Sequence, residues 1–115
     1  MPMHTSPENL LQQWLVSTPD WRQHMLGVLG GDYEGVLQDC TLHFRPLGVI
    51  GNLRCCESLE APYKIFDLGY SIMGQGRPVI SHDEFEQLIQ KGQVCKACLD
   101  DTELNRLLVN ALSDD

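Results

Sequence analysis

Cys95 and Cys98 stand two residues apart in the stretch GQVCKACLDD, residues 92–101. That spacing lets two thiolates reach one zinc ion, and tetrahedral closure then asks for two more Cys or His ligands. The sequence offers Cys40 with His43, or Cys55 with Cys56. On a strand, however, side-chain alternation turns Cys40 away from His43 and Cys55 away from Cys56, and no glycine follows CKAC to help the chain turn beneath a metal. As a redox couple, the same pair would want one thiol at a helix N-terminus. The pattern starts the last helix beyond them, and Asp100 and Asp101 oppose a thiolate. The expectation is therefore no cofactor and no metal, with Cys95, Cys98 and Leu99 tying the last two helices together as small hydrophobes. A zinc-stabilised module built on Cys95 and Cys98 stands as the alternative.

Other chemistry-bearing groups are weaker. Ser81-His82-Asp83 has the residue types of a hydrolytic triad, but neighbours in sequence cannot line up nucleophile, base and orienter; Ser81 reads as a helix cap. GQGR, residues 74–77, could cradle a phosphate on its backbone N–H groups, yet lacks the lysine of a P-loop. His24 falls within a helical pattern and His4 in an N-terminal tail. No enzyme is expected, and a small enzyme of unknown reaction is a second alternative.

The elements that would position these groups follow from periodicity. Ser6-Pro7 and Thr18-Pro19 each place a capping hydroxyl before a proline, which suits a helix's first turn. Leu10, Leu11, Trp14 and Leu15 then line a helix over 7–17. Trp21, Met25, Val28 and Leu29 line another over 19–29, with Gly30-Gly31 as a left-handed stop. From Gly35 the period shifts towards two, placing Val36, Cys40, Leu42 and Phe44 on one face of a strand and Asp39, Thr41, His43 and Arg45 on the other. Pro46 and Gly48 break it, and VIGNLRCC, residues 49–56, returns as an antiparallel partner. Residues 63–73 fit both a strand and a helical stripe, and their Tyr, Ile and Phe content favours the strand.

Ser81 with Glu84 forms a capping box for a helix carrying Phe85, Leu88 and Ile89 and ending at Gly92. Asp100 with Glu103 opens the last helix, striped by Leu104, Leu107, Leu108, Ala111 and Leu112. The fold class is α+β in a single domain over 1–115: two N-terminal helices, a small antiparallel sheet of two to three strands packed by helices, and two C-terminal helices. Residues 1–5 and 113–115 are expected to be flexible tails.

Sixteen acids against eight bases leave a net charge of −8, which repels polyphosphate and disfavours direct nucleic-acid binding. Residues 81–115 hold eight acids and three bases, a net of −5, which suits encounter with a basic surface. No apolar run reaches the roughly 18 residues of a membrane span, and the N-terminus has no secretory pattern. Five cysteines without a disulfide framework point to a reducing compartment, the cytoplasm. With no catalytic grouping, the expected function is stoichiometric protein binding: a small acidic regulator of a transcription factor or nuclease, occluding its dimerisation or active surface. The candidate contact residues are Leu104, Leu107, Leu108 and Leu112 on the last helix, with Trp14 as an aromatic anchor; the same helix could form a homodimer seam.

Overall fold

The computed structural model describes residues 4–48, 59, 62–70 and 76–113. Both Ser/Thr-Pro helix starts form as the sequence requires. Ser6 Oγ accepts from Asn9 N at the head of α1 (Pro7–Val16), and Thr18 Oγ1 accepts from Trp21 N at the head of α2 (Pro19–Asp32). Gly30 and Gly31 do not stop α2, which runs through both to Asp32. Gly30 instead serves close approach: a Cβ there would sit 2.1 Å from the backbone oxygen of Leu68, so only glycine lets helix and strand meet at this point.

The single strand expected from Gly35 is two. Asp39 and Cys40 both take positive φ, 51° and 61°, and form the tip of a two-residue hairpin between β1 (Tyr33–Gln38) and β2 (Thr41–Pro46). The turn changes which residues share a face. The register pairs Glu34 with Arg45, Val36 with His43 and Leu37 with Leu42, so Val36 lies with His43 and Arg45, opposite Leu42 and Phe44. The ambiguous middle segment is strand β3 (Tyr63–Leu68), antiparallel to β1. It also pairs in parallel with the short β4 (Val79–Ile80).

Among the described residues the sheet thus has four strands in the order β2-β1-β3-β4 and is mixed, where two to three antiparallel strands were expected. The strand read over residues 49–56 lies outside the described residues.

After β4, Ser81 Oγ accepts from Glu84 N and opens α3 (His82–Gln90), and Gly92 leaves it with φ of 69°. A one-turn helix absent from the sequence reading follows, α4 (Lys96–Leu99). The last helix, α5 (Thr102–Ser113), is capped one residue later than expected: Asp101 Oδ1, not Asp100, accepts from Glu103 N and Leu104 N. Buried Asn105 joins this end to the N-terminal segment. Its side chain donates to Thr5 O and Leu99 O and accepts from Thr5 N.

The α+β core lies between one sheet face and the helices. Leu42, Phe44, Leu68 and Ile80 meet Leu10, Trp14, Leu26, Phe85, Leu104 and Leu108. Phe85 bridges the layers, its ring 4.8 Å from Trp14 and 6.0 Å from Phe44, centroid to centroid. The opposite face is buried but polar, with Glu34, His43, Arg45 and Asp67 under 8% exposed. Glu34 Oε2 takes hydrogen bonds from Arg45 Nη2 and Nε at 2.6 and 3.1 Å, and Arg77 lies 3.4 Å from Glu34 Oε1. Two buried carboxylates facing two guanidiniums give a cluster with no net charge, the condition under which such groups tolerate burial.

Candidate metal site

The site begins with the outer edge of β2, where a sheet would leave N–H and C=O groups without partners. The chain after α3 covers this edge. Leu42 N donates to Gln93 O at 2.7 Å, and Cys95 N donates to Leu42 O at 2.9 Å, so Val94 bridges Leu42 in parallel. Successive residues alternate faces in step along two paired segments. One residue beyond the Leu42–Val94 bridge, His43 and Cys95 therefore emerge on the same side.

Cys95 then caps α4, its Sγ accepting from Cys98 N at 3.4 Å. This turn brings Cys98 back to the strand, where its Sγ accepts from Phe44 N at 3.5 Å and lies 3.8 Å from His43 Nδ1. The Cys98 sulfur thus stands where an edge carbonyl would otherwise satisfy the Phe44 amide. The objection that Cys95 and Cys98 precede any helix start does not hold, because Cys95 is itself the cap of a one-turn helix.

The ligand atoms of His43, Cys95 and Cys98 all lie within 4.8 Å of one another. Zn–S and Zn–N bonds of about 2.3 and 2.0–2.1 Å, set tetrahedrally, would place ligand atoms roughly 3.5–3.8 Å apart. The His43–Cys98 distance of 3.8 Å lies within about 0.3 Å of the sulfur–nitrogen separation, and the remaining contraction is about 1 Å or less, within reach of side-chain rotation.

The donor set also suits the surroundings. Two thiolates and a neutral imidazole around a divalent cation sum to zero charge, so a site with His43 at 5% and Cys98 at 3% exposure carries no uncompensated ion. Sulfur and imidazole together select zinc over the hard cations. The two backbone N–H groups aimed at sulfur provide the outer hydrogen bonds that orient metal-bound thiolates.

Of the ligand pairs weighed from sequence, Cys40 sits exposed at the hairpin tip and takes no part in the described cluster. Cys55 and Cys56 lie outside the described residues. Sequence spacing relates His43 only to its neighbour Cys40. The pair it joins lies more than fifty residues along the chain, and no local pattern announces that.

The residues proposed for partner contact are placed differently. Trp14, Leu104 and Leu108 are buried in the chain's own core. Leu107 and Leu112 are half-buried. Leu107 lines two shallow surface hollows, one with Asp32, Tyr33, Pro46 and Glu103 and one with His24, Val28, Asn110 and Ala111.

A cavity of about 30 Å³ lies within the core between Leu10, Trp14, Met25, Phe85 and Leu108, the room of a single water. Ser81, His82 and Asp83 sit at the head of α3 with Ser81 as its cap. His24 is exposed on α2 and His4 pairs with Asp100 at 2.8 Å. Among the described residues no helix is long and apolar enough to cross a membrane. No family model, curated protein or solved structure matches the chain.

Proposed function

We propose that the chain is a small zinc-binding module in which His43, Cys95 and Cys98 hold one zinc ion at three of its four tetrahedral positions, the fourth open to water, and thereby clasp β2 to the C-terminal helices. The observation that carries this reading is the convergence of the three ligand atoms within 4.8 Å from a strand and a turn 55 residues apart at the His43–Cys98 contact. Three such side chains meeting at a neutral, largely buried point fit a metal more specifically than they fit plain packing. Zinc there would stabilise the fold by binding only the folded chain. The occlusion reading keeps only Leu107 and Leu112 as partly exposed contact residues, and the metal reading has the fuller geometry behind it.

The test is the metal content of protein purified without added zinc, read by native mass spectrometry and by elemental analysis. One zinc per chain is expected, with a fall in thermal stability on chelation and its recovery on adding zinc. His43→Ala should retain a folded far-ultraviolet spectrum and lose at least 10-fold in zinc affinity; the loss expected for even a supporting residue is about 10- to 100-fold. Zinc far below one per chain after zinc reconstitution, or His43→Ala binding as tightly as the parent, would reject this function.

A further inference from the structure

We propose that Cys95 and Cys98 form a peroxide-sensitive modification site, in which oxidation joins the two sulfurs as a disulfide and expels the zinc. This rests on the zinc reading and adds regulation to it. Three observations carry it. The sulfurs lie within 4.8 Å of each other on the two-residue spacing that closes small disulfide loops. The thiols differ in access: Cys95 is half-buried, whereas Cys98 is 3% exposed. The third ligand, His43, holds the site to β2 but has no sulfur to oxidise.

Access fixes the order of events. The Cys95 thiolate attacks one oxygen of hydrogen peroxide; an S–O bond forms, the O–O bond breaks and hydroxide leaves, making a sulfenic acid. Cys98, enclosed behind it, then attacks the Cys95 sulfur. The S–S bond forms, the S–O bond breaks and a second hydroxide leaves. Two protons convert both hydroxides to water. The sulfurs together lose two electrons to the peroxide, and zinc departs as the unchanged divalent ion. A resolving thiol this near intercepts the sulfenic acid before further oxidation.

The exchange matters for the fold because the two cross-links differ in reach. Zinc ties β2 to the turn at Cys95–Cys98, across more than fifty residues of chain. The disulfide closes a loop of only two intervening residues, which constrains the chain far less. Oxidation therefore trades a long-range clasp for a local one and leaves β2 joined to the C-terminal segment by the Leu42 backbone hydrogen bonds. Cys40, exposed on the hairpin tip, serves as an internal control for nonspecific thiol oxidation.

The experiment is a hydrogen peroxide titration of the zinc-loaded protein, with released zinc read by a chromophoric chelator and disulfides mapped by peptide mass spectrometry without reduction. The expected result is one zinc released per Cys95–Cys98 disulfide, reversed by a dithiol reductant with zinc present, and unchanged in Cys40→Ser. Zinc retained at peroxide doses that already oxidise Cys40 would overturn the inference while leaving the zinc reading intact. So would zinc release accompanied by sulfinic acid, or by a disulfide to any other cysteine. A protein that takes up no zinc before peroxide is added would instead reject the zinc reading itself, and the coupling with it.

Discussion

Replacing Gly30 and Gly31 of α2 separately by alanine should move stability in opposite directions. In an exposed helix interior glycine is worse than alanine by about 1 kcal/mol, so helix propensity alone predicts that both substitutions stabilise. The surroundings divide them. A Cβ on Gly31 would lie 3.5 Å from the Tyr70 hydroxyl oxygen, an ordinary contact, and Gly31→Ala should keep the gain, raising Tm by about 4 °C. A Cβ on Gly30 would lie 2.1 Å from Leu68 O and 3.0 Å from Leu68 C, whereas a carbon–oxygen contact needs about 3.3 Å. Both atoms are backbone, so no rotamer change relieves the clash; α2 must lift from β3 by about 1 Å. Overpacking of this kind costs about 1–3 kcal/mol. With the upper end appropriate to backbone and the propensity gain set against it, the net loss is about 2 kcal/mol, a fall in Tm of roughly 8 °C. Differential scanning calorimetry and urea melts, in one defined zinc state, read both variants. Gly30→Ala as stable as the parent, or Gly31→Ala as damaging as Gly30→Ala, would refute the close approach of α2 to β3.

Two further outcomes follow from charges the fold places. Removing the Glu34 carboxylate alone, as Glu34→Leu, leaves two guanidiniums, Arg45 and Arg77, against the one carboxylate of Asp67 and should cost about 3–5 kcal/mol in urea unfolding, whereas the double change with Arg45→Met should cost markedly less; equal losses would show that the cluster's charge balance is not what the site requires. At the surface, the Glu8 carboxyl is held below the ordinary carboxylate range, first by a backbone hydrogen bond and then by Lys96, whose Nζ lies 3.4 Å away. A folded-state value below the unfolded one contributes stability above the ordinary carboxylate range that is lost as pH falls through the depressed value. The group is fully exposed, so the effect should be small and fade in salt. Carboxyl chemical shifts followed against pH should show Glu8 titrating higher in Lys96→Ala, and no difference between the variants would remove Lys96 from the cause.

The helix starts were legible because their signals are local. Ser6-Pro7, Thr18-Pro19 and Ser81 with Glu84 satisfy backbone donors within three residues and need nothing from the rest of the fold. Gly30 misled because the same residue serves two ends: a left-handed stop, or a gap through which a helix meets a strand. Only the neighbour, Leu68, distinguishes them. The hairpin was hidden by its turn. Two residues at positive φ usually announce themselves as Asn-Gly or Asp-Gly, and here Cys40 stands where glycine would. Missing that turn carried Val36 onto the wrong face.

The metal site was illegible for the same reason in a stronger form. Cys40 lies in the hairpin turn, outside β2, so alternation along one strand does not decide its relation to His43, and it says nothing about what lies beside β2 in space. Two hydrogen bonds at Leu42 draw residues 93–95 alongside the strand, and the capping turn of Cys95 then returns Cys98 to the next free amide, that of Phe44. Those contacts pair backbone N–H groups with carbonyls or with the two sulfurs and are indifferent to the identity of Ala97 or Lys96. What they require is a cap residue at 95 and a small acceptor at 98. Serine could cap at 95 and could also accept from the Phe44 amide at 98, so the fold alone would be served without sulfur. The cysteines add the ability to share a ligand with the imidazole 3.8 Å away, so the residue types exceed what the fold asks of those positions. That excess is the physical reason for assigning the turn a chemical role as well as a structural one.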